Sequence, residues 1–184
     1  MTSVRYADAS DLAGAAQLLA VAFRDYPWTR YVVPEEDYDE RLRGLYAHYL
    51  GHAHRHGFVA AADDGAVAVL APRAPEPAAV DEIIALHGDR VDRLGGGMVC
   101  DDAWTIEAIG VHPLSRGHGR GSELLAFALD GMARRGAGKI VLDTSDPRNV
   151  RLYERHGFRI VAERTTPSGP PVWTMLSELV PAER

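Results

Sequence analysis

A β-prone segment, a glycine-rich loop and a helical segment follow one another between Trp104 and Ala128, and this succession constrains the fold more than any other stretch. Apolar residues typical of a strand precede the loop at Ile106, Ile109 and Val111, and apolar residues recur at helical spacing behind it. The loop itself, residues 116–121, reads RGHGRG. Such a loop points successive backbone N–H groups into one concavity, and the next helix adds the positive end of its dipole. We therefore predict a site for a phosphate or pyrophosphate, with a plain surface turn as the alternative.

The spacing of the glycines argues against the two common nucleotide-binding loops. A dinucleotide-binding loop that began at Gly117 would need its third glycine where Ser122 stands. A Walker loop needs a lysine before its final Ser or Thr, and here Gly121 directly precedes Ser122. Three side chains can add hydrogen-bond donors to the loop, those of Arg116, His118 and Arg120.

Composition restricts the class of protein. The chain has 184 residues, 25% of them charged and 46% hydrophobic, which predicts one soluble globular domain over residues 1–184. The net charge of −6 argues against a surface that attracts nucleic acid or an anionic membrane, so any anion site must be local. Cys100 is the sole cysteine, which excludes an intrachain disulfide and favours a packing role. Without the pattern of a signal peptide or a bilayer-spanning run, we expect a cytoplasmic protein.

Helices and strands alternate along the chain, which then ends on two strands. Apolar residues at helical spacing predict helices over residues 12–23, 34–57 and from Val80 to His87, a helix after the glycine loop, and a short one over 149–156. Strands are predicted at residues 4–6, 58–62, 66–71, before the glycine loop, and at 139–144, 159–163 and 172–176. This order predicts an α+β fold with a mixed sheet.

Two stretches allow more than one interpretation. The turn over residues 25–31 holds three aromatic side chains, which either cover the core or form the wall of a binding pocket. His48, His52 and His56 share one helical face. Because three histidines on consecutive turns do not converge on one ion and no carboxylate completes the spacing, we predict no metal site there.

A second motif lies one predicted strand after the glycine loop, running from Asn149 through Tyr153 to Gly157-Phe158. Together with Val111-His112-Pro113 and the Arg-x-x-Gly-x-Gly loop, it resembles the signatures of the GNAT superfamily of acyl-CoA-dependent N-acyltransferases. Two signatures in the right order are more specific than either alone.

Within that superfamily the chain is most similar to the puromycin N-acetyltransferase branch. The similarity covers Val4 to Met175 and is carried by the first helix and by residues 25–27, 146–149 and 169–175. It is weakest between Pro72 and Cys100, a region where acceptor specificity would reside.

The resemblance implies a twisted mixed sheet, splayed at its centre, with acetyl-CoA in the splay. Backbone groups of Ile109 and Val111 would pair with the pantetheine arm, and Asn149 would contact that arm. Tyr153 would stand near the thioester sulfur. The pyrophosphate would be held by the loop residues Gly117, His118, Gly119, Arg120, Gly121 and Ser122, with Arg116 beside them.

Acetyl transfer to an amine requires a base, because an alkylammonium with a pKa of ~10.4 is almost wholly protonated at neutral pH. Glu107 lies on the strand before the loop, and simple alternation puts it on the face of Ile109 and Val111. It is our candidate general base, acting directly or through a water, and a solvated or ion-paired carboxylate is the alternative. Asp101 and Asp102 are further candidates.

The departing thiolate needs a proton donor, and a tyrosine hydroxyl with a pKa of ~10 can serve a sulfur whose thiol has a pKa near ~8.5. Tyr153 is our candidate, with a core aromatic as the alternative. The N–H of Val111 is a candidate oxyanion donor. Trp28, Tyr31 and Trp173 are candidates for contacts with the acceptor, and core packing is their equal alternative.

The sequence thus predicts an acetyl-CoA-dependent N-acetyltransferase, a monomer or homodimer, acting on a primary amine of a small molecule. An antibiotic such as puromycin is one candidate acceptor. Two alternatives stay open: acetylation of a protein N-terminus or lysine, and a non-catalytic sensor of acyl-CoA.

Overall fold

A seven-stranded mixed sheet organises the structure, a computed structural model that describes residues 3–95, 102–166 and 168–179. The strand order is β1-β2-β3-β4-β5-β7-β6, and every neighbouring pair is antiparallel except β4 and β5. The strands are β1 Arg5–Tyr6, β2 Gly57–Ala62, β3 Gly65–Leu70, β4 Trp104–Val111, β5 Lys139–Thr144, β6 Arg159–Arg164 and β7 Val172–Glu178. The predicted α+β class and its final antiparallel pair are confirmed.

Six α-helices flank the sheet in this part of the chain. They are α1 Leu12–Phe23, α2 Pro27–Val32, α3 Tyr38–His56, α4 Val80–His87, α5 Arg120–Ala133 and α6 Pro147–Arg155. Short 3-10 helices follow α4 and β4, at Gly88–Arg93 and Pro113–Ser115. Among the described residues, no helix combines the length and the apolar character that crossing a membrane requires.

The segment after α1 differs from the prediction, which had a turn over residues 25–31. Pro27 stands at the first position of α2, where its missing N–H is no loss. Thr29 Oγ1 donates to the carbonyls of Phe23 and Tyr26, at 2.6 and 2.9 Å. These bonds fold α2 back against the end of α1. The next helix begins at Tyr38 rather than at Pro34.

Two apolar cores lie on opposite faces of the sheet. On one face α1, α2 and α3 cover β2, β3 and part of β4, and on the other α5 and α6 cover the sheet. Fully buried side chains of the first core include Leu19, Leu42 and Leu50, and those of the second include Leu124, Leu125 and Met132.

The sheet opens at its centre, where the two parallel strands separate. β4 and β5 pair only at Trp104 with Ile140 and at Thr105 with Val141. Beyond these pairs β4 runs on to Val111 and β5 to Thr144 without pairing to each other. A cavity of about 670 Å³ lies against both strands there. The predicted splay therefore follows from a ladder that stops after two residues.

Candidate active site

The edge of β4 that faces the splay offers free backbone groups. The N–H of His112 donates to the carbonyl of Asp64, 2.8 Å away on the side of β3. Backbone groups alternate in direction along a strand, so those of Val111 and Ile109 point the other way, toward β5. The structure thus places both residues on this edge, where the Val111 carbonyl accepts a hydrogen bond from Arg116 Nε at 3.3 Å and the N–H of Val111 and both backbone groups of Ile109 stay free among the described residues.

The glycine loop forms a concave cradle at the end of β4. Gly117 and Gly119 have φ angles of +83° and +86°, and a Cβ atom at either would meet nothing within 4 Å. Helix α5 begins directly behind, at Arg120. Within the described part of the chain, none of the six N–H groups from Gly117 to Ser122 has a hydrogen-bond acceptor. Six free donors and an open approach fit a pyrophosphate.

The arginine side chains beside the cradle are engaged elsewhere. Arg120 is only 4% exposed, and its guanidinium forms ion pairs with Asp64 at 2.7 Å and Glu123 at 2.5 Å. The prediction that its side chain adds a donor to the loop is therefore wrong, and only its backbone N–H lines the cradle. Arg116 donates to the carbonyl of Ala22 at 2.5 Å, which ties the loop to α1. His118 is exposed.

A β-bulge sets the direction of the candidate base. The β3–β4 register shifts by one residue at this point, so β4 carries one extra residue. Ile106 and Ile109 both pack against the core under α5, whereas Ala108 belongs to the core under α1 and α3. Glu107, beside Ala108, therefore faces α3. The prediction that Glu107 shares the face of Ile109 and Val111 is wrong, because alternation fails at a bulge.

Glu107 reaches the cavity from this position. Its side chain is exposed, and it is one of the residues that line the cavity. The surrounding protein raises the pKa of the Glu107 carboxyl, and the negative charge of Asp143 on β5 raises it further. Burial raises the pKa of Tyr49 on α3, and the charge of Glu107 adds to that rise. The carboxyl of Glu107 and the hydroxyl of Tyr49 therefore share one electrostatic environment.

Tyr153 and Asn149 of α6 both line the cavity. Tyr153 is 4% exposed, and burial together with nearby Tyr26 raises the pKa of its hydroxyl. Among the described residues the Tyr153 hydroxyl has no hydrogen-bond partner, so it is free to donate to a bound group. The Asn149 side chain lies 3.5 Å from Thr144 Oγ1.

Tyr26 is a site residue that the sequence reasoning missed. Its hydroxyl accepts a hydrogen bond from the N–H of Ser145 at 2.5 Å and lies 3.0 Å from Thr144 Oγ1. Because Tyr26 stands between α1 and α2 and its partners are the last residue of β5 and the residue after it, this contact joins the two sides of the splay. The available signal was the aromatic turn over residues 25–31.

The three candidate acceptor contacts separate in the structure. Trp28 lines the cavity. Tyr31 does not: its ring packs beside Gly169 in the β6–β7 connection, and Arg93 stacks over it at 5.1 Å. Trp173 does not either, since it packs against the core under α5 and α6.

The remaining candidates lie outside this arrangement or on another wall. Asp102 is exposed and pairs with Arg73 at 2.8 Å, while Asp101 and Cys100 lie outside the described residues. On the histidine face only His52 lines the cavity. In the described ranges, no group of three or more His, Cys, Asp or Glu side chains is placed to hold a metal ion. No sequence signal had indicated that the cavity-lining residues Tyr46, Tyr49 and His87 belong to the site.

Unpaired backbone groups in a splayed sheet, next to an anion cradle, are typical of a protein class that binds an elongated phosphorylated ligand. The model of the Acetyltransferase (GNAT) family matches residues 20–158, and the chain belongs to that family. It is an acetyl-CoA-dependent N-acetyltransferase.

Solved structures share the fold over nearly the whole chain. A protein described as histone acetyltransferase HPA2 and related acetyltransferase, from Corynebacterium glutamicum, is 20% identical with a TM-score of 0.76, and the match covers 98% of each chain. The ribosomal-protein-S18-alanine N-acetyltransferase from Escherichia coli is 18% identical with a TM-score of 0.60, covering 100% of this chain and 97% of that one. YncA from Salmonella typhimurium, solved with its cofactor acetyl-CoA, is 18% identical with a TM-score of 0.61, covering 99% and 95%.

Proposed function

We propose that the enzyme transfers the acetyl group of acetyl-CoA directly to a primary amine of a small molecule. The observation that carries this proposal is the position of Glu107, whose carboxyl lines an internal cavity of about 670 Å³ in the splay of the sheet. A cavity of this size suits a small ligand. Acetyl-CoA supplies an acetyl group activated as a thioester.

The splay and the cradle would hold acetyl-CoA between them. The free backbone groups of Ile109 and the N–H of Val111 would bind the pantetheine arm, with Asn149 beside it. The N–H groups from Gly117 to Ser122 would bind the pyrophosphate, and their lack of other acceptors supports this role. The N–H of Val111 would donate to the carbonyl oxygen of the acetyl group.

Glu107 would receive a proton from the substrate ammonium, directly or through one water. Its raised pKa makes the carboxylate a stronger base than a carboxylate on the protein surface. Among the candidate bases this one lines the cavity, whereas Asp102 is exposed and paired with Arg73.

Tyr153 would hold the proton that the departing sulfur requires. Burial keeps the hydroxyl protonated, since it raises the pKa of Tyr153. The absence of a partner among the described residues leaves that proton available. Tyr26 stands close enough to influence Tyr153 electrostatically and would keep the two sides of the splay together.

The walls of the cavity support a compact acceptor. Helices α2 and α3 and the segment around residues 71–77 all contribute to its lining, and Trp28 supplies an aromatic surface. Puromycin, which carries a primary amine beside an aromatic ring, is one acceptor to test. Acetylation of a peptide N-terminus is the other outcome, and the relatives named for protein acetylation share only the fold at 18–20% identity.

Release of free thiol from acetyl-CoA tests the proposal with puromycin, simple arylalkylamines and short peptides as acceptors. We expect turnover with a small amine, and a fall in kcat of at least about 100-fold in Tyr153→Phe and Glu107→Gln. Tyr38→Phe is the matched control, because Tyr38 is equally buried and hydrogen-bonds the carbonyl of Arg24 at 2.9 Å outside the cavity. Turnover of peptides but of no small amine would refute the proposed acceptor class, and full activity in Glu107→Gln would refute the proposed base.

A further inference from the structure

A tyrosine and a histidine that the mechanism above does not use form a hydrogen-bonded pair in the cavity wall. The hydroxyl of Tyr49 on α3 lies 3.4 Å from Nε2 of His87 at the end of α4. Nδ1 of His87 lies 2.9 Å from the carbonyl oxygen of Val32 at the end of α2. All three residues line the cavity, and the His87 side chain is only 1% exposed.

The partners of His87 determine where each proton lies. A carbonyl oxygen can only accept, so Nδ1 of His87 must carry the hydrogen that points to Val32. Burial lowers the pKa of His87 and favours the neutral ring, in which Nε2 is then an acceptor. The Tyr49 hydroxyl must therefore donate its hydrogen to His87.

A tyrosine hydroxyl has one hydrogen, and here it is turned away from the substrate space. The oxygen of Tyr49 thus presents only lone pairs to the cavity. Tyr49 is half-buried and lies within the electrostatic reach of Glu107. This part of the wall consequently offers two acceptors, the Glu107 carboxylate and the Tyr49 oxygen.

We propose that Tyr49 Oη binds an N–H of the acceptor ammonium beside Glu107, and that His87 is the positioning residue that keeps this oxygen an acceptor. A primary ammonium has three N–H groups and can serve both acceptors at once, whereas an alcohol has a single O–H. The pair therefore makes the site selective for primary ammonium groups over isosteric alcohols. This inference rests on the proposed acceptor cavity and names the group that the cavity recognises.

Calorimetric binding of 2-phenylethylamine and 2-phenylethanol at pH 7 tests the selectivity without requiring turnover. We expect the wild type to prefer the amine, and Tyr49→Phe to weaken amine binding about tenfold while changing alcohol binding less than twofold. Equal binding of the two ligands by the wild type, or of the amine by the wild type and Tyr49→Phe, overturns the proposal. If the amine binds through Tyr49 but is not acetylated, the inference holds and the proposed reaction fails for that amine.

Two variants of His87 separate positioning from simple support of the fold. His87→Gln places an acceptor near the Nε2 position and gives up the bond to Val32, whereas His87→Asn keeps a donor for Val32 and gives up the acceptor for Tyr49. We expect amine affinity within about threefold of wild type in His87→Gln and a tenfold loss in His87→Asn. No further loss is expected when His87→Asn is added to Tyr49→Phe. The reverse order of the two His87 variants would show a structural role only.

Nitrogen NMR of the imidazole rings provides a readout on the protein itself. His87 is expected as the Nδ1–H tautomer, assigned by the signal that disappears in His87→Asn. Tyr49→Phe should shift the Nε2 resonance and leave the Nδ1 resonance in place. A ring protonated at Nε2 would overturn the proposal, since Tyr49 could then no longer donate to it.

Discussion

Replacing Gly119 by alanine tests whether the glycine loop is a cradle that the ligand stabilises. Gly119 has a φ of +86°, and a Cβ atom there would meet nothing within 4 Å. The penalty is therefore purely conformational, about 1–2 kcal/mol for alanine in the left-handed region. Gly136, at the other end of α5, has a φ of +81° and equally open surroundings, which makes Gly136→Ala the matched control.

The two positions should express this penalty in different measurements. None of the N–H groups from Gly117 to Ser122 has a partner among the described residues, and the Gly119 carbonyl accepts a single bond, from the N–H of Glu123 at 3.1 Å, so local relaxation around Gly119 gives up at most that bond in the free enzyme. Gly136 is held, because its N–H bonds the Ala133 carbonyl at 3.0 Å and the N–H of Ala137 bonds Met132 at 3.1 Å. Strain at Gly136 must therefore appear in the stability of the fold.

Calorimetric titration with acetyl-CoA and urea denaturation separate these outcomes. For Gly119→Ala we expect affinity for acetyl-CoA to fall about 5- to 30-fold, because only a fraction of the free enzyme keeps the binding conformation, with little change in unfolding free energy. For Gly136→Ala we expect a loss of about 1–2 kcal/mol in unfolding free energy and unchanged affinity. Gly119→Asn should recover part of the affinity, since asparagine tolerates this conformation. Unchanged affinity in Gly119→Ala, with a stability loss equal to that of Gly136→Ala, would refute this reasoning.

Three further predictions concern charged groups. Because folding raises the pKa of Glu107, the wild type should lose stability as pH rises from the unfolded value of ~4.3 through the folded one. Urea denaturation should then find Glu107→Gln more stable than wild type at pH 7 but not at pH 4, and a constant difference would contradict this. Asp143→Asn should shift the acid limb of the pH profile of kcat/KM to lower pH, because a charge that raises the pKa of Glu107 is removed. An acid limb that does not move would exclude Glu107 as the titrating base. Asp64→Ala should lower the unfolding free energy by about 2 kcal/mol, because it removes one of the two carboxylates that pair with buried Arg120, whereas Asp102→Ala, which breaks an exposed pair, should change it little. Equal losses of unfolding free energy in Asp64→Ala and Asp102→Ala would contradict the stabilising role of the buried Arg120–Asp64 ion pair.

Helices and strands could be predicted from the sequence where the signals that define them are local. Strand β5 has the predicted bounds, because its apolar run is bracketed by Gly138 and a polar end. The β2–β3 hairpin follows from its Asp-Asp-Gly turn. Pro27 was placed in a turn over residues 25–31 but begins α2, since a proline that suits a turn also suits the first turn of a helix.

The geometry of the site was harder to predict from the sequence, because it depends on contacts between segments that are distant along the chain. The sequence named Glu107 and the cradle glycines as candidates, but no sequence signal predicted the bulge that turns Glu107 toward α3. The Arg120 side chain was predicted to donate hydrogen bonds to a phosphate. In the fold its guanidinium is instead ion-paired with Asp64 of the β2–β3 turn. His87 lies in the cavity wall because α2, α3 and α4 meet around it, which its sequence context did not predict.

The active site exists because the sheet is left incomplete at its centre. Each further backbone pair between β4 and β5 would add hydrogen bonds of roughly 0.5–1.5 kcal/mol apiece, yet pairing stops at Thr105. Closing the ladder would satisfy the facing edges of both strands and remove the backbone groups that we propose receive the cofactor arm. The two sides are instead joined across the gap by side chains, as Tyr26 does on reaching Ser145 and Thr144. The hydrogen bonds that β4 and β5 do not form thus leave the space that a ligand can enter. The residues that bridge the splay keep the two sides together without filling it.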